Sequence, residues 1–155
     1  GAVPFCGFWM HNGMLQLEGV KMSKSLGNLV LARNLMQDVD PDHLRLYLLS
    51  THYRADADYH HDDLAKLTDR YERLRSAATA EGDSAGDSAV AAAVTARLDD
   101  DFDTPGALDQ LDRAAQRVLT GSALPGEATA VRGALATLGF AFAGARGPAN
   151  GSFEP

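Results

Sequence analysis

From His60 onward the apolar residues return at intervals of three and four. Leu64, Leu67, Tyr71, Leu74 and Ala78 form one series, and Val90, Val94 and Leu98 the next. Leu108, Leu111, Ala115, Val118 and Leu119 form a third, and Val131, Leu135 and Leu138 a fourth. That period puts each series on one face of a helix. A helix with one apolar face cannot bury it alone, so these helices must pack together, and residues 60–140 are expected to form an antiparallel bundle. The interruptions agree. Glu81-Gly82-Asp83-Ser84-Ala85-Gly86 reads as a flexible loop. Asp99 to Pro105 breaks the pattern, with Thr104 or Asp103 as the next cap and Pro105 near its first turn. Pro125-Gly126 precedes the last helix. The tail, 141–155, is rich in Gly, Ala and Pro and is expected to fray.

The chain ahead of the bundle is less regular. Asp40-Pro41-Asp42-His43 opens a clear helix: Asp40 caps it, Pro41 suits its first position and Asp42 favours its positive end. Its buried stripe is expected from Leu44, Leu48 and, less regularly, Tyr47. Leu29 to Gln37 reads as a further short helix, and Ala55 to Tyr59, with its alternating aspartates, as a polar connector. Residues 1–20 hold two apolar runs, Phe8 to His11 and Met14 to Leu17, split by the turn signal Asn12-Gly13. A hairpin fits, and so does a strand end followed by a loop. A domain seldom opens in this way, so 1–39 reads as the trailing edge of a larger unit whose earlier part is missing. The predicted fold is mainly α: the remains of an α/β unit over 1–39, a helix and connector over 40–59, the bundle over 60–140 and the tail over 141–155.

Composition narrows the setting. Hydrophobic residues are 45% of the 155 and aromatics 7%, so the core is expected to be mostly Leu, Ala and Val. The one cysteine, Cys6, allows no internal disulfide and no cysteine-rich metal site. No apolar run is long enough to span a membrane and no basic-then-apolar leader opens the chain, so a cytoplasmic location is expected. Net charge is -7, unevenly spread. Through Arg54 there are five basic and four acidic residues, against nine and seventeen afterwards. The acidic helices argue against broad nucleic-acid binding, though not against a local contact patch.

The less acidic third holds the main candidate site, Lys21-Met22-Ser23-Lys24-Ser25, followed by Leu26-Gly27-Asn28. Two lysines three residues apart can follow phosphate oxygens, and serine hydroxyls and backbone amides can add neutral donors. The stretch reads either as a solvated surface turn or as a polyphosphate clamp that stabilises a leaving pyrophosphate. It is not the phosphate loop of nucleotide triphosphatases, whose Gly-rich run ending in Gly-Lys-Ser/Thr is absent.

In its residue order the stretch resembles the signature loop of class I aminoacyl-tRNA synthetases. Trp9-Met10-His11-Asn12-Gly13-Met14 resembles the strand and turn of the cysteinyl-tRNA synthetases. Asp42-His43-Leu44-Arg45-Leu46-Tyr47 and His52-Tyr53-Arg54 resemble their stem-contact region. Asp99-Asp100-Asp101-Phe102-Asp103-Thr104-Pro105-Gly106-Ala107-Leu108 resembles the linker inside their helical bundle. The resemblance runs from about Pro4 to Leu138. It implies that the first segment is the end of a Rossmann-like catalytic domain and that the chemistry is ATP-dependent activation of L-cysteine. The acceptor it implies is tRNA(Cys), favoured by Leu26 and the Trp9–Asn12 stretch. Alternatively it is glucosaminyl-inositol, as in the cysteine ligases of mycothiol biosynthesis, favoured by the short end and the acidic bundle. A non-catalytic helical interaction fragment is the remaining alternative.

On this resemblance Lys24 contacts the ATP phosphates and stabilises the transition state, with Lys21 assisting. Ser23 and Ser25 shape the loop and donate hydrogen bonds, Met22 anchors it, and Gly27 permits close approach or an unusual backbone angle. His11 is either a border of the adenosine pocket or a satisfied packing residue. Trp9 is expected in the core, and Cys6 as a small buried thiol. His52 and Arg54 are expected at an interface, with Arg54 pairing Asp56 or Asp58 as the alternative. Asp99 to Asp103 reads as a capped, solvated helix junction, with cation binding as the alternative, and His60-His61-Asp62-Asp63 as no metal site, since adjacent helical residues do not share a face. The chain departs from the family at Val20, commonly acidic there, which removes a possible counter-charge to Lys21. The family's ATP-binding His-x-Gly-His signature and its zinc ligands lie upstream of residue 1. Zinc is therefore expected in an upstream catalytic half, not on this chain, which is expected to be catalytically incomplete.

Overall fold

The computed structural model describes residues 5–80 and 89–142. The loop expected at Glu81 to Gly86, and the tail beyond Phe142, lie outside the described residues. The protein is mainly helical, with a small three-stranded sheet near its start.

Strands β1 (Leu15–Leu17) and β2 (Val20–Lys21) form an antiparallel hairpin, Gln16 opposite Lys21 and Leu17 opposite Val20. The turn is Glu18-Gly19, with φ of 50° and 77°. Positive φ at both turn residues matches the twist of a tight two-residue hairpin. The expected turn at Asn12-Gly13 does not make a hairpin, and Phe8 to His11 forms no strand. Gly13 is needed for closeness instead. A Cβ there would stand 2.0 Å from the Ala55 carbonyl oxygen, and the Gly13 amide donates to the Tyr53 carbonyl at 2.7 Å.

The expected connector contains strand β3 (Ala57–Tyr59), parallel to β1, with Leu15 opposite Ala57 and Leu17 opposite Tyr59. Side chains alternate across a strand, so Tyr59 is buried while Asp58 faces out. The aspartates satisfy amides along the sheet. Asp56 Oδ1 accepts from Met14 N at 2.7 Å, and both Asp58 oxygens accept from Gly19 N at 2.9 Å. Parallel strands need a long crossover, which here runs through α1 (Ala32–Leu35) and α2 (Pro41–Leu49). Only four of the residues expected as a helix over Leu29 to Gln37 are helical, and Leu31 before them gives no side-chain cap. A single uncapped turn has little to repay its nucleation cost.

Helix α2 starts as expected. Asp40 accepts from the Asp42 amide at 2.8 Å, and Pro41 holds the first position. Its burial differs from the single stripe expected. Leu48 is exposed, whereas Leu44 and Leu46 are both buried. Leu44 joins Tyr59 and Leu64 in a small core covered by Leu17, Met22, Val30, Leu35, Val39 and Tyr47. Leu46 joins the large core of the following helices. α2 is therefore packed on two sides.

The apolar series after His60 becomes two helices, α3 (Asp63–Lys66) and α4 (Thr68–Thr79), separated at Leu67. Leu64 turns to the small core, and Tyr71, Leu74, Ala77 and Ala78 to the large one. The other helices are α5 (Ala89–Asp99), α6 (Thr104–Leu119) and α7 (Glu127–Thr137). α6 packs on α4, α5 and α7, burying Ala107, Leu108, Leu111, Ala114 and Ala115 completely. Leu119, expected in that face, is exposed at the end of the helix. Arg70 meets Asp109 and Arg73 meets Asp112, each at 2.7 Å. Both numbers rise together, so α4 and α6 run in the same direction. Asp103 is the cap of α6, accepting from Gly106 N at 2.9 Å. Arg117 and the buried Glu127 join α6 to α7, and Glu127 also accepts from Leu124 N at 3.0 Å.

The start of the expected frayed tail is docked. Phe140, the last residue of the expected bundle, is buried, and beyond it the Ala141 and Phe142 amides donate to Asp42 Oδ2 at 2.9 and 2.7 Å. The buried carboxylate on α2 outweighs the local composition, because leaving it without donors would carry its full desolvation cost. The two leucines separate the observed burial of α2 from the single-stripe expectation. Leu46→Ala is expected to cost about 2–5 kcal/mol and Leu48→Ala within about 0.5 kcal/mol, both measured by urea unfolding.

Candidate functional site

The candidate loop leaves the sheet at the end of β2 and is closed by the Asn28 side chain. Asn28 Oδ1 accepts from Ser23 N at 2.9 Å, and its Nδ2 donates to the Lys21 carbonyl at 3.2 Å. Inside this staple the Leu26 amide donates to Ser23 Oγ at 3.3 Å, and the Ser23 and Ser25 hydroxyls lie 3.2 Å apart. The Gly27 amide donates to the Lys24 carbonyl at 3.2 Å. Gly27 has φ of 65° with open space among the described residues where a side chain would stand, a backbone angle that favours glycine. Met22 is half-buried against the small core and roots the loop in it.

Lys21 and Lys24 are exposed. Among the described residues the lysine ion pairs are those of Lys66, with Asp62 and Asp63. The loop thus carries two ammonium groups without acidic partners on a short, internally bonded frame. Such an arrangement can gather an anion with several oxygens. Beside it, Leu15, Met22, Val30, Leu35, Leu44 and Tyr59 line an apolar cavity of about 80 Å³.

The other candidates fall differently. His11 is exposed, and none of the described residues packs on it. Trp9 is 71% exposed and not in the core. Cys6 is an exposed thiol whose Sγ donates to the Phe8 carbonyl at 2.6 Å, not a buried one. Among the described residues nothing packs over this segment, so its apolar side chains stay in water. His60 and His61 gather no metal site with the aspartates. Asp63 instead accepts from the His60 amide at 2.8 Å and from Lys66 Nζ at 3.0 Å, and this amide in particular holds its carboxyl below the usual range. Among the described residues no group of three or more His, Cys, Asp or Glu is placed to hold a metal ion. These residues do not fit zinc, and no chemical step here runs through it.

A second cluster joins the segment after α2 to the turn between α5 and α6. Arg54 does not pair with Asp56 or Asp58. Its Nε and Nη2 donate to Asp101 Oδ2 and Oδ1 at 2.6 and 3.0 Å. The Tyr53 hydroxyl donates to Asp101 Oδ1 at 2.6 Å, and His52 Nε2 lies 3.0 Å from the Asp101 carbonyl. The Arg54 guanidinium also sits 5.0 Å from the centre of the Tyr53 ring. Asp101 and Phe102 have φ of 52° and 54°, a region that non-glycine residues adopt only when their surroundings hold them there. Sequence reasoning missed Asp101 as a partner, since 47 residues separate it from Arg54. The sequence marked the region as a helix junction and by its resemblance to the family's linker, with no sign of Arg54 as the partner.

With the geometry in view, likeness to known proteins is informative. Residues 1–69 match the family model for the catalytic domain of class I (C) tRNA synthetases. An L-cysteine:1D-myo-inositol 2-amino-2-deoxy-alpha-D-glucopyranoside ligase of Streptosporangium roseum is 44% identical over 135 residues, covering 85% of this chain and 32% of that protein. A ligase of the same name from Gordonia bronchialis is 46% identical over 120 residues, covering 76% and 28%. A cysteine–tRNA ligase of Xanthomonas campestris is 40% identical over 115 residues, covering 74% and 25%. The chain spans between a quarter and a third of the length of these relatives.

The Asp101 cluster has a signature in solution. The Arg54 guanidinium, and after it the Tyr53 hydroxyl, lowers the Asp101 carboxyl from 3.8 to about 2. A depressed carboxylate contributes stability above its unfolded pKa and loses it as pH falls through the folded one. The cluster should therefore weaken between about pH 4 and pH 2. A carboxyl-carbon NMR titration should place the Asp101 midpoint near 2 in the wild type, and Arg54→Gln should move it upward.

Proposed function

The chain is cysteinyl-tRNA synthetase-like, its first 69 residues matching the class I (C) catalytic-domain family, and we propose that it is the phosphate-clamp segment and helical portion of an ATP-dependent cysteine ligase. The observation that carries this is the loop: two lysines at the end of a hairpin, without an acidic partner among the described residues, held by Asn28, within a segment similar to cysteine ligases. In this reading residues 1–39 end the Rossmann-like catalytic domain, 40–59 form the stem-contact-like helix and connector, 60–140 the bundle and 141–155 the tail. An upstream half supplies the remaining ATP contacts and the zinc that selects the thiol. Support for that partner comes from the apolar side chains left in water over residues 5–31. Phe5, Phe8, Trp9, Met10, Met14, Leu15, Val20, Leu26, Leu29 and Leu31 are all exposed, far more than the surface of a finished domain usually gathers. A cytoplasmic location belongs to the same reading. Among the described residues no helix is long and apolar enough to cross a membrane.

The chemistry proceeds in two steps. A carboxylate oxygen of cysteine attacks the α-phosphorus of ATP, the bond to the bridging oxygen breaks, and pyrophosphate leaves with the electron pair. Lys24, with Lys21, balances the charge that grows on the leaving group, and Ser23 and Ser25 add neutral donors. His11 borders the adenosine. The acceptor then attacks the cysteinyl carbonyl, gives up a proton, and AMP departs. We take the acceptor to be the amine of glucosaminyl-inositol, because the ligases named for that substrate share 44% and 46% identity with the chain. Transfer to tRNA(Cys) is the second reading, supported by the 40% identity to a cysteine–tRNA ligase.

In the longer ligase, Lys24→Ala should slow cysteine-dependent ATP–pyrophosphate exchange at least about tenfold, or about 1.4 kcal/mol. An unchanged rate would remove Lys24 from the clamp. Charging assays offering that ligase both glucosaminyl-inositol and tRNA(Cys) should label the amino sugar, and labelling of tRNA alone would reverse the choice of acceptor.

A further inference from the structure

A short run of hydrogen bonds ties the Asp101 cluster to Gly13 and Met14, at the entry to the hairpin that carries the loop. Asp101 grips Arg54, Tyr53 and His52. The Tyr53 carbonyl, inside that gripped segment, accepts from Gly13 N at 2.7 Å. Asp56 Oδ1, two residues past Arg54, accepts from Met14 N at 2.7 Å, and the Met14 carbonyl accepts from Ala57 N at 2.9 Å. Met14 leads directly into β1, whose hairpin delivers Lys21. At Gly13 the two backbones are so close that no side chain fits between them. Movement of the Tyr53–Ala55 segment therefore displaces the entry to β1.

We propose that Asp101 is a positioning residue for the Lys21–Ser25 loop: through Tyr53 and Arg54 it fixes the backbone on which Gly13 and Met14 seat the hairpin. The bundle thereby acts on the phosphate clamp through the hairpin. The left-handed backbone at Asp101 and Phe102 fits this role, since it turns the carboxylate of the α5–α6 turn toward the segment after α2. The catalytic consequence rests on the clamp reading given above, whereas the positioning is a property of this chain.

Amide hydrogen exchange on the 155-residue chain tests the positioning directly. Asp101→Asn keeps a residue that tolerates positive φ and removes the charged, two-oxygen grip. It should speed exchange at Gly13 and at Ser23 and Gly27 at least about fivefold, on the order of 1 kcal/mol of local opening. Helix α6 amides should keep their wild-type rates. Arg70→Gln, which breaks the Arg70–Asp109 pair between α4 and α6, should leave Gly13, Ser23 and Gly27 unaffected. Equal rates at those three amides in Asp101→Asn, or equal acceleration by Arg70→Gln, would overturn the proposal. Tyr53→Phe keeps the ring and drops one hydrogen bond, and it carries the same readout if Asp101→Asn does not fold. In the longer ligase, Asp101→Asn should lower kcat for cysteine-dependent ATP–pyrophosphate exchange at least about fivefold while KM for cysteine stays within twofold, and Arg54→Lys, which keeps the charge but not the fork, should not behave as wild type. Exchange effects in the short chain alongside a wild-type ligase that activates no cysteine would refute the clamp reading and leave the positioning standing.

Discussion

Leu44 and Leu46 sit two positions apart on α2, about 200° around its axis, and both are buried. Each belongs to a different core. The helix is a shared wall, with the sheet and the lysine loop on one side and the helical bundle on the other. Interiors are packed at nearly crystalline density, so neither side can shift far without the other. The wall is also tied near both ends, by Asp42 to the chain after α7 and by the His52–Arg54 segment to the turn before α6. A short helix with poor single-face amphipathicity thus controls the relation between the two halves.

Acidic residues carry much of the long-range fastening. Asp42, Asp56, Asp58 and Asp101 each accept from a backbone or side-chain donor 39 or more residues away. Asp109 and Asp112 tie α6 to α4, and Glu127 ties α7 to α6. The net charge of -7 is therefore only partly a solvated excess, since many of its carboxylates have specific donors. Lys21 and Lys24 stand outside this scheme, and their charge remains available to an incoming anion.

Where the sequence carried local information, the structure was legible from it. The three-and-four spacing marked α4 to α7, and Asp40-Pro41 and Asp103 marked two caps. Asn28 and Gly27 frame the lysine loop within a few residues of it. Readings failed where the deciding partner was remote. Leu46 was passed over because a one-sided helix was assumed, and only the second core makes a residue opposite Leu44 inward-facing. Ala57–Tyr59 is a strand because β1 lies beside it, and three residues with two polar flanks give no such sign on their own. Arg54 had acids nearby at Asp56 and Asp58, yet Gly19 and Met14 amides already engage those carboxylates, leaving Asp101. Trp9 and Cys6 were judged by residue type, although burial requires a covering surface that none of the described residues supplies.

The tie between Asp42 and Phe142 spans 100 residues of chain. Closing a loop of that length costs entropy that later contacts must repay. At synthesis rates of roughly 5–20 residues per second, the carboxylate waits about 5–20 s on the ribosome for its donors. Until they arrive, water satisfies the Asp42 carboxylate, and docking of residues 141–142 exchanges that water for two backbone donors. Among the ties on α2, this one is therefore the last that synthesis makes possible.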